Sequence, residues 1–298
     1  DDGNTDPVAG YSVAQLTAAM DGLAASAQWW RADPVSLIAD RDQLVVMPGK
    51  LANLTMAEAE PLVTLLNQHF HQEFKIEIAT PHRWYLQPIE PLQMQAIPLE
   101  GAAGGSAGKL QPTGKDAMMV QNWLNEIQML LHTAEVNQQR EAVDQLQINS
   151  IWIWGNEQQP VQVGAALAQL PDLLLADPGW AVAVAESTGQ PHQRLPEAGA
   201  LGELLPAQGQ VILDLAGIDG SHLAQADWLD QWFEQIRALI GHQVSQLDLY
   251  SVDHQSWQLQ SWRGNDFSGW KMALNRLLER FRSARAQARS HGPSATSR

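Results

Sequence analysis

From Trp29 to Met47 the chain reads "WWRADPVSLIADRDQLVVM", with apolar and polar positions alternating on either side of a polar turn at Asp40–Asp42, which predicts two short strands. The run just before, "SVAQLTAAMDGLAASAQWW", has helical spacing. In "LTMAEAEPLVTLLNQHF" Thr55 is a good N-cap and Glu58 stands where a capping box needs it. Leu62, Leu65 and Leu66 then form the apolar face of a predicted helix. "FKIEIA" and "HRWYLQPI" alternate as further strands. Two strands, a helix and two more strands in so short a stretch predict a small α+β unit.

Leu99 to Asp116, "LEGAAGGSAGKLQPTGKD", is Gly-rich and predicts a linker. It is not a phosphate-binding loop, because Ala103 takes the place of the first required Gly and Leu110 that of the magnesium-binding Ser or Thr. Beyond it helices and strands alternate. Helices are predicted at 117–131 and 161–170, and strands at Asn149–Trp154 and Trp180–Ala185. "QVILDLAG" has the pattern of a buried strand, and "DWLDQWFEQIRALIG" that of a helix stopped at Gly241. "QLDLYSV" and "SWQLQSW", separated by "DHQ", predict an antiparallel hairpin. A last helix begins near Phe267, and the Arg- and Ser-rich tail is expected to fray. This order predicts an α/β sandwich with a largely parallel sheet.

Composition narrows the function. With 298 residues, 45% of them hydrophobic and only 17% charged, the chain is globular. Its 33 acidic against 18 basic residues give a formal charge of −15, which disfavours nucleic acid and anionic membrane surfaces as partners. Having no cysteine, it has no disulfide, thiolate nucleophile or Cys-based metal site. No apolar run is long enough to span a membrane and no secretory signal opens the chain, so the expected location is cytoplasmic.

The densest candidate chemistry lies in "LLHTAEVNQQREAVDQLQINSIWIWG", Leu130 to Gly155. On the preceding helix Asn125, Met129 and His132 share one stripe, flanked by Asn122 and Gln128. On the strand, Ser150, Trp152 and Trp154 share one face, Asn149, Ile151 and Ile153 the other, and Gly155 ends it with a sharp turn. Two readings are open. Asn137, Arg140 and Glu141 can brace a long loop, or Arg140 can offer a fork to a phosphate or carboxylate with His132 as donor or proton carrier. The strand's carboxyl end would be the ligand end of an open parallel sheet.

"RADPV" at Arg31–Val35, "RWYL" at Arg83–Leu86, "NEIQM" at Asn125–Met129 and "NSIWIWG" at Asn149–Gly155 resemble phrases of the RpfE-type regulatory proteins of bacteria. Those are related to the archaeal-type cofactor-independent phosphoglycerate mutases, and the resemblance runs from about Trp30 to Gly155. It implies an α/β/α sandwich of the alkaline-phosphatase and phosphoglycerate-mutase type with a small α+β lid. The domains would be an N-terminal part of the core at 1–29, the lid at 30–98, a flexible linker at 99–116, the core at 117–281 and a disordered tail at 282–298. A cleft between lid and core would take a small anionic or phosphorylated metabolite. Its lining would comprise Arg31, Asp33, Arg83 and Trp84 from the lid. The core would add Asn125, Glu126, Gln128, His132, Asn137, Arg140, Glu141, Asn149, Trp152 and Trp154.

The same kinship implies a two-metal site with a Ser or Thr nucleophile upstream of the lid. Asp219 and His222 in "GIDGSHL", with Asp253 and His254 in "SVDHQSW", stand where Mn, Mg or Zn ligands would fall. The expected spacing and the elements that should follow are missing, so the metal site is expected to be degenerate. His69 and His71 in "HFH" read as a solvated surface feature. The expectation is therefore a regulatory or small-anion-binding protein, set against two alternatives: an active divalent-metal phosphomutase or phosphohydrolase, and a module whose Trp-rich half docks a protein.

Overall fold

The computed structural model describes residues 12–26, 28–40, 43–156, 172–176, 180–214, 226–239, 246–252 and 257–263. The expected helix at 161–170, the stop at Gly241, the helix from Phe267 and the tail lie outside them. The first helix, α1 (Val13–Met20), is shorter than its spacing suggested. Ser12 and Gln15 cap its start reciprocally, and Gly22 at φ +76° turns the chain away just past its end. Strands β1 (Trp30–Asp40) and β2 (Gln43–Pro48) form the predicted hairpin. Helix α2 (Met56–His69) leads to β3 (Phe74–Thr80) and β4 (Arg83–Pro88), paired antiparallel.

The central constraint is the placing of β7 (Ser150–Trp154). The sequence predicts a strand of a parallel sheet, but β7 runs antiparallel to β1 and belongs to the same five-stranded sheet. Arg31 faces both Tyr85 and Trp154, and Val35 faces both Pro48 and Ser150. Hence β7 lines one edge of β1, while β4 and β2 share the other. Pro34 is tolerated mid-strand for that reason. Val46 bonds outward to Gly104 and Gly105, so β2 meets β1 through the even-numbered residues of β1. The nitrogen of Pro34 therefore points into the gap between β4 and β2, where no ladder bond is lost.

Past Val35 the ladder continues through side chains. The Asn149 amide bonds both backbone groups of Leu37, at 2.7 and 3.0 Å. Asn137 does the same for Ile148, at 2.8 Å each way, and also donates to the carbonyl of Leu131 at 2.7 Å. Asn67 of α2 pairs likewise with Ile76, covering the outer edge of β3. Each carboxamide replaces one residue of a missing strand.

Both faces of the sheet are buried. On one, Trp30, Ile76, Trp84, Leu86, Ile151 and Ile153 pack against α2 and α4 (Ala117–His132). On the other, Val35, Val46, Trp152 and Trp154 meet Leu99, Ala102, Ala107 and Leu110. The stretch 99–116 is thus a packed cover rather than a bare tether, with a helical turn α3 (Leu99–Ala102) whose small residues let the backbone approach the sheet. Strands β5 (Met94–Gln95) and β6 (Thr113–Gly114) pair at its base. Where a loop was expected after α4, Glu135–Ala142 forms a helix, α5.

Beyond Gly155 the described parts comprise a parallel sheet of β8 (Leu173–Ala176), β9 (His192–Gln193) and β10 (Val211–Asp214), in the order β10-β8-β9. The segment Trp180–Thr188, expected to hold a strand, is helix α6, because its alternating Ala and Val also offer a continuous apolar helix surface that packs on α1 and β8. Helices α7 (Leu201–Leu204) and α8 (Ala226–Leu239) follow. Strands β11 (Gln246–Val252) and β12 (Trp257–Arg263) form the predicted hairpin. The architecture is mixed helix and sheet, and its described part has no continuous parallel sheet through β7. No described helix is long and apolar enough to cross a membrane.

Replacing Asn137 with Ala leaves the buried N–H and C=O of Ile148 unpaired. The expected loss is about 2–6 kcal/mol in urea unfolding, at about 1–3 kcal/mol for each of the two orphaned groups. Asn149→Ala, at a half-buried position, should cost less.

Candidate functional site

The guanidinium of Arg140 is buried and fully engaged. Nε donates to the carbonyl of Leu146 at 2.7 Å, Nη1 to Glu58 at 2.6 Å, and Nη2 to the carbonyl of Ala52. Glu58 also accepts from the Thr55 amide at 2.8 Å and its hydroxyl at 2.7 Å. Burial pushes the Glu58 carboxyl up, but the hydrogen bonds from Thr55 and the Arg140 guanidinium outweigh it and hold the pKa below the ordinary 4.5. With Asn137 this cluster ties α5 to α2 and to the approach to β7. Of the two sequence readings, the brace describes what these groups contact. Glu141 is exposed and accepts from Gln147 at 3.1 Å.

Arg31 lies on the opposite face. It donates to Asp33 through Nε at 3.1 Å and Nη2 at 2.6 Å. Its guanidinium carbon sits 5.6 Å from the Tyr85 ring centre and 5.2 Å from that of Trp154. Trp154 completes the group by donating to Asp33 at 2.8 Å. Arg83 grips Asp21 with Nε at 2.5 Å and with Nη2, and the Tyr85 hydroxyl donates to the same carboxylate at 2.6 Å. Burial raises the Tyr85 phenol well above its ordinary pKa; Arg31 opposes this and Asp21 reinforces it. Trp84 is buried against α2 and α4, its indole donating to Pro81 at 3.0 Å. The three arginines therefore do not converge on one cleft. Each holds a carboxylate partner, and two of those partners, Asp21 and Glu58, were not on the expected site. Asp21 carried no sequence signal, being 62 residues from Arg83, while Glu58 was legible only as a cap.

The stripe Asn125, Met129, His132 faces solvent, and Met129 is 73% exposed. Glu126 pairs with His69 at 3.1 Å, bridging α4 and α2 on one flank. On the other flank a slot opens between α4, the outer edge of β7 and the cover segment. Gln121, Asn125 and Gln128 line it from α4, with Gln111 and Pro112 opposite and Ser150 to Ile153 at its floor. Its volume of about 40 Å³ has room for roughly three waters, far below a metabolite pocket. No Lys, Arg, His, Asp or Glu is among the described residues lining it. So Asn125, Gln128 and Trp152 of the expected set meet here. Gln121 and Gln111 were missed because an isolated glutamine has no motif.

Asp219, His222, Asp253 and His254 lie outside the described residues. Among the described residues no group of three His, Asp or Glu is placed to hold a metal ion.

No protein-family model matches this chain, and no curated protein matches it in sequence. Among solved structures it is similar to the cofactor-independent phosphoglycerate mutase from Thermoplasma acidophilum DSM 1728, at 12% identity and a TM-score of 0.38, over 88% of this chain and 74% of that one. It is also similar to the PH0037 protein from Pyrococcus horikoshii, at 14% identity and a TM-score of 0.38, over 85% and 68% of the respective chains.

Arg140→Ala should destabilise by about 3–5 kcal/mol in urea unfolding, the usual effect of breaking a buried pair. Arg140→Lys should restore little, since one ammonium cannot reproduce the planar fork. The lowered pKa of Glu58 implies stability that is present above pH 4.5 and lost as pH falls through the lower folded value. Glu58→Gln should therefore flatten the acid limb of the stability–pH curve.

Proposed function

We propose that this chain is a regulatory binding protein of phosphoglycerate-mutase-like ancestry with a degenerate phosphoryl-transfer site, and that its contact surface is the uncharged slot beside α4. One observation carries the reading. Arg31, Arg83 and Arg140, the cations best placed by sequence to hold a phosphorylated metabolite, are each engaged with a carboxylate of the same chain. A phosphate entering there would have to displace Asp33, Asp21 or Glu58 from a short, largely desolvated contact. The slot, in contrast, offers carboxamides and backbone groups, which suit a neutral partner.

Thermal unfolding with inorganic phosphate and with 3-phosphoglycerate tests this. A ligand at 100 times its Kd adds about 2.7 kcal/mol of stability, a shift of several degrees. The expected result is no shift with either anion, and a saturable rise with either would overturn the reading. Metal analysis gives an independent check on the full chain. After incubation with Mn²⁺ and dialysis it should retain no stoichiometric metal. Stoichiometric retention that Asp253→Ala and His254→Ala abolish would instead favour a metal-dependent phosphotransferase.

A further inference from the structure

Surface helices normally turn charged side chains to solvent, and α4 does not. Its 16 residues include one acid, Glu126, and no Lys or Arg. Outward it presents Met118, Asn122, Asn125 and Met129, all exposed. Met118 and Met129, at 70% and 73%, are the most exposed large hydrophobic side chains among the described residues. At about 100° of turn per residue, the four lie in one stripe about 60° wide.

That stripe reads the same from either end: Met, Asn four residues on, Asn three further, Met four further. Steps of four and three are the spacing of a coiled-coil seam. A seam that is its own reverse fits a copy of itself turned end for end, as a two-fold contact between identical chains requires. About an axis between Trp123 and Leu124, Met118 meets Met129 of the second copy, and Asn122 meets Asn125. The thioethers make adaptable apolar layers at the two ends. The carboxamides between them, each both donor and acceptor, can bond across the axis and set the register. Glu126 lies beside the stripe, paired at 3.1 Å with His69 of its own chain. The same register sets it level with Gln121 of the second copy, so carboxylate does not face carboxylate. Since each chain carries a formal charge of −15, a face almost without charge is also where two copies repel least.

We infer that the outer face of α4, from Met118 to Met129, is an interface through which two copies of this chain pair antiparallel across a two-fold axis. The inference goes beyond the binding role proposed above and does not depend on it. One helix from each copy gives a contact smaller than the roughly 1,200–2,000 Å² of a standard interface. The dimer is therefore weak and forms as protein concentration rises.

Sedimentation velocity of the full chain over a concentration series tests this. The expected result is a reversible monomer–dimer equilibrium that tightens with added NaCl, because salt screens the repulsion between two acidic chains. M118K and M129E, made singly, each set a charge against a thioether in both end layers and should weaken the dimer at least about tenfold. Combined in one chain they bring opposite charges together in both layers, and much of the lost affinity should return. Both positions are exposed, so urea unfolding of all three variants should match that of the native chain. A native chain that stays monomeric up to about 1 mM overturns the inference. So do single variants that pair as tightly as the native chain, or a dimer that salt weakens. A parallel pairing would bring like charges together in the double variant, so a double variant no tighter than the single ones overturns it as well.

Discussion

A strand buried on both faces has no solvent to satisfy its backbone, and β7 is such a strand. Its pairing with β1 accounts for one edge along five residues, Ser150 to Trp154. Where regular pairing ends, Asn149 and Asn137 take over, each turning a side-chain amide into one residue of ladder. This requirement fixes how α5 approaches the sheet, because Asn137 can reach Ile148 only from a helix held against it. Arg140, on the same helix, supplies that hold through Glu58 and the carbonyls of Ala52 and Leu146.

The charges follow the same logic. In an acidic chain, the arginines at 31, 83 and 140 are buried or nearly so, and each is matched by a carboxylate. Such pairs are weak sources of net stability, since desolvation offsets most of their attraction. What they set is geometry. Arg31, against the rings of Tyr85 and Trp154, holds Asp33, Arg83 fixes the end of α1 on β4 through Asp21, and Arg140 locks α2 to α5. Residue types associated with anion recognition here serve as internal forks. Among the described residues, the small slot beside α4 is lined by no charged side chain.

Much of the outline was legible from pattern alone. The hairpin of β1 and β2, the capped helix α2, the paired β3 and β4, and the hairpin of β11 and β12 all follow from short-range alternation, caps and turns. The parity of β7, with Trp152 and Trp154 facing opposite to Ile151 and Ile153, also follows from the pleat. Elsewhere the signal misled for physical reasons. The Gly- and Ala-rich stretch 99–116 resembled a tether because small residues suit both flexible chain and close packing. Trp180–Thr188 alternated like a strand, yet Ala and Val alternating in register also cover one side of a helix.

The sequence by itself determined the strands β1 to β4 and β7, the helices α2 and α4 and which of their faces are apolar, because those depend on neighbours within a few residues. It also marked Asn137, Arg140 and Asn149 as unusual, since buried polar groups must find partners. Only the tertiary structure decided who those partners are. Asp21 and Arg83 are 62 residues apart, Glu58 and Arg140 82, and Leu37 and Asn149 112. Such pairings depend on how whole elements dock and leave no local trace. The same docking placed β7 against β1, far earlier in the chain, because strand pairing answers to backbone groups that carry no residue-specific signal.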